Sequence, residues 1–210
     1  MTDSYELLFF LRNKNLLKNS SEYWWPNYGT FETVLGAILT QNTKWTNVET
    51  SLANLKKSNL VTLENIANAD LAALTLAITP SGFKNQKAIR LIILCKNILS
   101  TFENFEKFQL EVNRSWLLEQ KGIGPESADS ILTYACKKEE MVVDKYTHRL
   151  LKSFGLEFNS YEELKLWCEY GINQNFDKIV QLYGYEITLN KIYCRFHGKI
   201  VEFMKQNPRV

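Results

Sequence analysis

The sequence predicts an all-α fold of many short helices, on three observations. Apolar residues recur at helical spacing, as in Phe31, Val34, Leu35, Ile38 and Leu39, and again in Trp45, Val48, Leu52 and Leu55. Polar residues able to cap a helix stand just before such runs. Alternation of period two is nearly absent, and only Met141-Val142-Val143 hints at extended chain. In chain order, the first fourteen residues read as a capped amphipathic helix. Thr62 and Asp70 are N-caps for helices over 63–69 and 71–78. Pro80-Ser81-Gly82 is a turn, and a long helix follows over about 85–99. Asn113 caps a helix over 114–120, and Pro125 takes a first helical position, where its missing N–H costs nothing. Ser160 with Glu163 forms a capping-box pattern before a helix over 161–170.

Composition removes several classes. With 12 Phe, 10 Tyr and 5 Trp among 210 residues, the chain can bury ample apolar area, which excludes disorder. Only 9 Gly and 4 Pro exclude collagen-like and low-complexity chains. No stretch is long and apolar enough for a transmembrane helix, and the N-terminus lacks the basic region of a signal peptide. A cytoplasmic protein is expected. Cys95, Cys136, Cys168 and Cys194 lie far apart, without the close spacing of a zinc or iron–sulfur site, and read as buried, reduced thiols. The formal net charge is only +2, but the cations are unevenly spread. Lys84, Lys87, Arg90 and Lys96 form one basic stretch, and Lys191, Arg195, Lys199, Lys205 and Arg209 another. Such patches suit a phosphate footprint or two solvated helix faces.

The most specific local pattern runs from Leu118 to Asp129. A helix ends, Gly122-Ile123-Gly124 turns, and a helix begins at Pro125. Two glycines one residue apart permit backbone angles closed to other residues and let a phosphate oxygen approach the main chain. Ile123 plugs between the helices. Further on, Val142-Val143 delivers Asp144 to the start of a helix, where the dipole favours an ionised carboxylate. By itself Asp144 reads as an N-cap.

Together these segments resemble the helix-hairpin-helix, endonuclease III-like DNA glycosylase superfamily, over most of the chain. Lys121-Gly122-Ile123-Gly124 is similar to the family's hairpin, and Val143-Asp144 with Arg149 to its catalytic aspartate segment. Leu39-Thr40-Gln41-Asn42-Thr43 resembles the segment that offers Gln41 into the DNA stack, and the segment from Gly82 to Ala88 another that faces the duplex. Trp24-Trp25-Pro26, with the run from Gly36 to Trp45, resembles the 3-methyladenine DNA glycosylase III type. Many relatives carry four closely spaced C-terminal cysteines on a [4Fe–4S] cluster; only Cys168 and Cys194 lie there, so no cluster is expected. Relatives that also cut the backbone carry a lysine nucleophile where this chain has Glu126. A carboxylate cannot form a Schiff base, so no lyase activity is expected.

The resemblance implies two helical domains with a cleft between them: residues 28–136 as a helical barrel ending in the hairpin, and residues 1–27 plus 137–210 as a domain carrying Asp144. It implies that the enzyme flips an alkylated base out of double-stranded DNA. Asp144 would stabilise the oxocarbenium-like sugar and orient water. Trp24, Trp25 and Trp45, with Pro26 stiffening their loop, would sandwich a cationic base. Gln41 and Phe83 are wedge candidates, Phe83 with an equal reading as core. Gly122 and Gly124 would hold a phosphate, with Lys121 near and a monovalent cation at the hairpin. Glu126 reads as pocket rim or as a helix-start acid. Lys205 would approach the pocket, and there its charge would need neutralising, for instance as a carbamate. His148 and His197 are too isolated to argue a metal site. A monomer is the default. Alternatives are a glycosylase of the same fold for oxidised or mismatched bases, and a non-catalytic hairpin module for binding DNA.

Overall fold

A computed structural model of the chain describes residues 1–209. The chain divides into two compact units, one of Asn27–Lys137 and one of Met1–Pro26 with Lys138–Val210. Among the described residues there is no β-strand, and only an isolated bridge joins Ser21 to Trp24.

In the unit of 27–137 the central element is α2 (Phe31–Leu39), whose residues are all buried except Glu32. Around it lie α3 (Trp45–Lys57), α4 (Leu63–Ala67), α5 (Leu71–Ala77), a 3-10 turn (Thr79–Ser81), α6 (Lys84–Phe102), α7 (Phe105–Glu111), α8 (Arg114–Leu118), α9 (Pro125–Ser130) and a π-helical turn (Ile131–Ala135). Leu35, Ile38, Leu55, Leu91, Ile98 and Leu132 meet in one core. The short helices begin where the caps predict. Thr62 Oγ1 accepts from the Asn65 amide at 3.1 Å, Asp70 Oδ2 from Ala73 at 2.8 Å, and Asn113 Oδ1 from Trp116 at 2.9 Å. Each such cap contributes on the order of 1 kcal/mol. The long helix α6 runs past its predicted end to Phe102 and stops where Glu103 takes φ +69°.

The second unit holds α1 (Ser4–Arg12), α10 (Lys145–Ser153), α11 (Tyr161–Gln174), α12 (Phe176–Tyr183) and α13 (Leu189–Gln206). Its core gathers Leu7, Leu11, Leu150, Ile172, Phe196 and Ile200. The N-terminal helix is capped by Asp3, which accepts from the Glu6 amide. It lies hard against α11: a Cβ on Gly171 would stand 2.6 Å from the Ser4 backbone nitrogen. Ser160 accepts from the Glu163 amide as predicted, but the reciprocal bond of the box is shifted. The Glu163 carboxylate takes the Asn159 amide, one residue before the cap. Met141, Val142 and Val143 are buried and non-helical, so the chain reaches Asp144 from inside the core.

Candidate active site

Asp144 is the N-cap of α10, and its two oxygens are used differently. Oδ1 accepts from the Tyr146 amide at 3.0 Å, the Thr147 amide at 2.9 Å and Thr147 Oγ1 at 3.0 Å. Thr147 Oγ1 in turn accepts from the Asp144 amide at 3.3 Å, which completes a capping box. Oδ2 faces His197 Nε2 at 3.6 Å, longer than a short hydrogen bond and ionic only when the imidazole is protonated. Both side chains are nearly enclosed, Asp144 at 13% exposure and His197 at 5%. Burial by itself raises the Asp144 pKa. The hydrogen bonding and charge of His197, with the Thr147 amide and hydroxyl, outweigh it and hold the carboxyl below its ordinary value. The N-cap reading and the catalytic reading of Asp144 are therefore compatible, because one oxygen serves the helix and leaves the other.

Sequence reasoning missed His197. It belongs to the buried stripe of α13 with Tyr193, Phe196, Ile200 and Met204, and an imidazole on so apolar a face was the available signal. Trp24 lies edge-on to that imidazole, ring centroids 5.0 Å apart at 71°. Its backbone takes φ +67°, unusual for so large a residue. The indole rests on the bare backbone of Gly198, where an added Cβ would stand 2.3 Å from Trp24 Cγ. Trp25 is buried and meets Trp24 edge-on at 6.0 Å, so it supports its neighbour and offers no open face. Pro26 is exposed. Lys205 is exposed in the last turn of α13. Arg149 Nη2 donates to the Pro208 carbonyl at 3.0 Å, tethering the chain beyond α13.

In the unit of 27–137 the hairpin joins α8 to α9. Gly122 takes φ +84°, a left-handed conformation that favours glycine, and Ile123 is buried in the core. Gly124 is different. It is the N-cap of α9 with an ordinary extended backbone, and a Cβ there would meet nothing within 4 Å. The fold leaves that surface bare without needing to. Lys121 and Glu126 are exposed beside it. Arg114 clamps the two helices through a buried Asp129, with Nε to Oδ1 at 2.7 Å and Nη2 to Oδ2 at 3.3 Å.

Gln41 is engaged, contrary to the simple expectation of an outward wedge. Its Nε2 donates to the Gly122 carbonyl at 3.0 Å and to Ser127 Oγ at 2.9 Å, and Arg90 Nη1 donates to its Oε1 at 3.4 Å. In this state its side chain braces the hairpin. Phe83 is 65% exposed and left-handed at φ +47°, which removes the core reading. Trp45 opens α3, half-buried against the core. The cysteines are free and buried, and burial pushes the thiols of Cys95, Cys168 and Cys194 well up, away from the thiolate a metal needs. Among the described residues no cluster of three or more His, Cys, Asp and Glu is placed to hold a metal. No helix among them is long and apolar enough to cross a membrane.

Residues 35–170 match the family model of the HhH-GPD superfamily of base excision DNA repair proteins. A crystal structure of an H. pylori 3-methyladenine DNA glycosylase bound to 1,N6-ethenoadenine is similar over 99% of this chain and 100% of its own, with TM-score 0.96 and 50% identity. A protein of Methanocaldococcus jannaschii, provisionally assigned as a DNA repair glycosylase, is 35% identical over 97% of this chain and 90% of its own length. A trapped endonuclease III–DNA covalent intermediate shares the fold, with TM-score 0.71 at 17% identity over 100% of this chain and 90% of that one.

Proposed function

The chain belongs to the HhH-GPD superfamily and is a DNA glycosylase, and on that premise we propose that it releases alkylated purines, 3-methyladenine among them, without cutting the backbone. The observation that carries the chemistry is the division of labour within Asp144: Oδ1 is spent on α10 while Oδ2 is held beside His197 and, through it, Trp24.

The unit of 27–137 supplies the grip on duplex DNA. The bare backbone at Gly124 and the turn at Gly122 suit a phosphate oxygen, with Lys121 adding charge. Phe83, exposed at the start of α6, suits a wedge that fills the space left by an extruded nucleotide. Gln41 can join it once its bonds to Gly122 and Ser127 are exchanged for bonds to DNA. The other unit supplies the reaction. As the glycosidic bond lengthens, positive charge grows on the sugar, and an ionised Asp144 Oδ2 stabilises it and accepts a proton from the attacking water. A purine alkylated at N3 is already cationic and departs neutral, so no strong general acid is required. The Trp24 indole face suits an electron-poor ring; cation–π attraction contributes on the order of 1–2 kcal/mol for each desolvated face. The resemblance of the hairpin to the family's implies that Glu126 takes the place of a lyase's amine nucleophile, which supports release without backbone cutting.

The test is incubation with duplexes carrying one alkylated base, with free base measured directly and abasic sites measured by alkaline cleavage. Released 3-methyladenine, intact strands until alkali, and no borohydride-trapped adduct are expected. Asp144→Asn retains an acceptor for the cap and is expected to abolish release while binding persists. Turnover at the wild-type rate in that variant removes Asp144 from the chemistry.

A further inference from the structure

Lys87 lies on α6 at 2% exposure, yet it carries an ammonium. Nζ donates to the Leu39 carbonyl at 2.7 Å, to Thr43 Oγ1 at 2.8 Å and to the Ser81 carbonyl at 2.8 Å. Leu39 is the last residue of α2, and Thr43 closes the loop that carries Gln41 and Asn42. Ser81 ends the 3-10 turn that leads through Gly82 into Phe83. The Thr43 hydroxyl also donates to the Ser81 carbonyl, so the two loops are joined directly as well as through the amine.

All three protons of the ammonium are thus spent inward, on the ends of two loops. Core filling alone does not need this group, because a buried charge is costly to desolvate and a methionine would fill the space. The fold gains a fixed spacing. Each loop holds a residue in the left-handed region, Asn42 at φ +52° and Phe83 at φ +47°, and such residues relax unless their surroundings hold them.

We propose that Lys87 is a positioning residue for distortion of the duplex, holding the Gln41 loop and the Phe83 loop at one separation so that both side chains engage DNA together. This rests on the reading of those two residues as DNA-facing. It assigns Lys87 no contact with DNA and no part in bond cleavage.

Burial, and then the charge of Arg90 one turn along α6, pull this amine down to about 8. The ammonium therefore dominates at pH 7 and the free amine at pH 9. A free amine has two donors for three acceptors, so one loop end is released.

The experiment follows binding of a duplex containing a tetrahydrofuran abasic-site analogue by fluorescence anisotropy, for wild type and Lys87→Met, from pH 7 to 9. Circular dichroism melts at each pH report the folded fraction. At pH 7 the variant, which loses all three bonds, is expected to bind at least about tenfold more weakly, a factor that one charge-assisted bond alone can supply. The wild type is expected to lose a similar factor with a midpoint near pH 8, and the variant to be flat. A merely structural lysine would lower affinity only in proportion to the folded fraction. Wild-type affinity that is flat from pH 7 to 9 overturns the proposal even if the variant does not fold. So does a folded variant that binds as the wild type does while both excise alkylated bases; the glycosylase reading then stands. A wild type that binds no duplex at any pH overturns both.

Discussion

Replacing Gly198 by alanine isolates the seat of Trp24. In a helix interior this change ordinarily stabilises by about 1 kcal/mol. Here the new Cβ would stand 2.3 Å from Trp24 Cγ and 2.7 Å from Cδ1 and Cδ2. Carbon atoms rest at about 3.5–4.0 Å, so the root of the indole must retreat by roughly 1.2 Å or more. Cγ does not move with χ2, so a flip of the ring cannot relieve the contact; either χ1 changes and swings the whole indole off its seat, or the loop through Pro26, at φ +67° at Trp24, shifts. Overpacking of this kind costs about 1–3 kcal/mol. The net effect on stability is a loss of about 0–2 kcal/mol, a drop of no more than about 8 °C in melting temperature for a chain of this size. Activity responds differently. A displacement of about 1 Å in a group that positions the reacting centre can cost on the order of 100-fold. Gly198→Ala is therefore expected to melt near wild type and to release 3-methyladenine at least about tenfold more slowly in single-turnover assays. A variant with wild-type release and a raised melting temperature would refute the reasoning, because the indole would then not depend on that bare backbone.

Two further predictions concern charge. The lowered pKa of Asp144 means that the folded carboxyl releases its proton more readily than the unfolded one. Its contribution to stability is thus fully present above the ordinary value of about 4 and is lost as pH falls through the lower folded value. Wild type is expected to exceed Asp144→Asn in stability at pH 6, with the gap closing in acid, as read from urea unfolding at each pH; a gap that widens in acid contradicts the assignment. Arg114→Met takes the guanidinium from the buried Asp129 carboxylate and is expected to cost about 3 kcal/mol, because Arg114 itself is partly exposed. Urea unfolding measures it, and a cost below about 1 kcal/mol would mean the pair behaves as a surface bridge.

Elements fixed by short-range chemistry were legible in the sequence. Thr62, Asp70, Asn113 and Ser160 each cap the helix they precede, because the bond is to an amide three residues on. The hairpin was legible because Gly122 needs its left-handed angle and Pro125 its place at a helix start. What depends on distant residues was not. His197 meets Asp144 through the packing of α13 against α10, which no local pattern encodes. The bracing of Gln41 against Gly122 and Ser127, the burial of Trp25 and the three bonds of Lys87 are likewise products of tertiary arrangement. The π-helical turn at Ile131–Ala135 follows α9 in a stretch buried at every position, where no glycine or proline marks the change.

The unit that carries Asp144 is assembled from both ends of the chain, with residues 27–137 intervening. On the ribosome the intervening part can complete its own core while Met1–Pro26 wait for a partner that emerges much later. During synthesis Trp24 therefore has no seat until Gly198 has left the exit tunnel. Under the function proposed above, nascent chains would acquire the means to hold a duplex before the means to break a glycosidic bond, and a product truncated within α13 before Gly198 would lack the seat of Trp24.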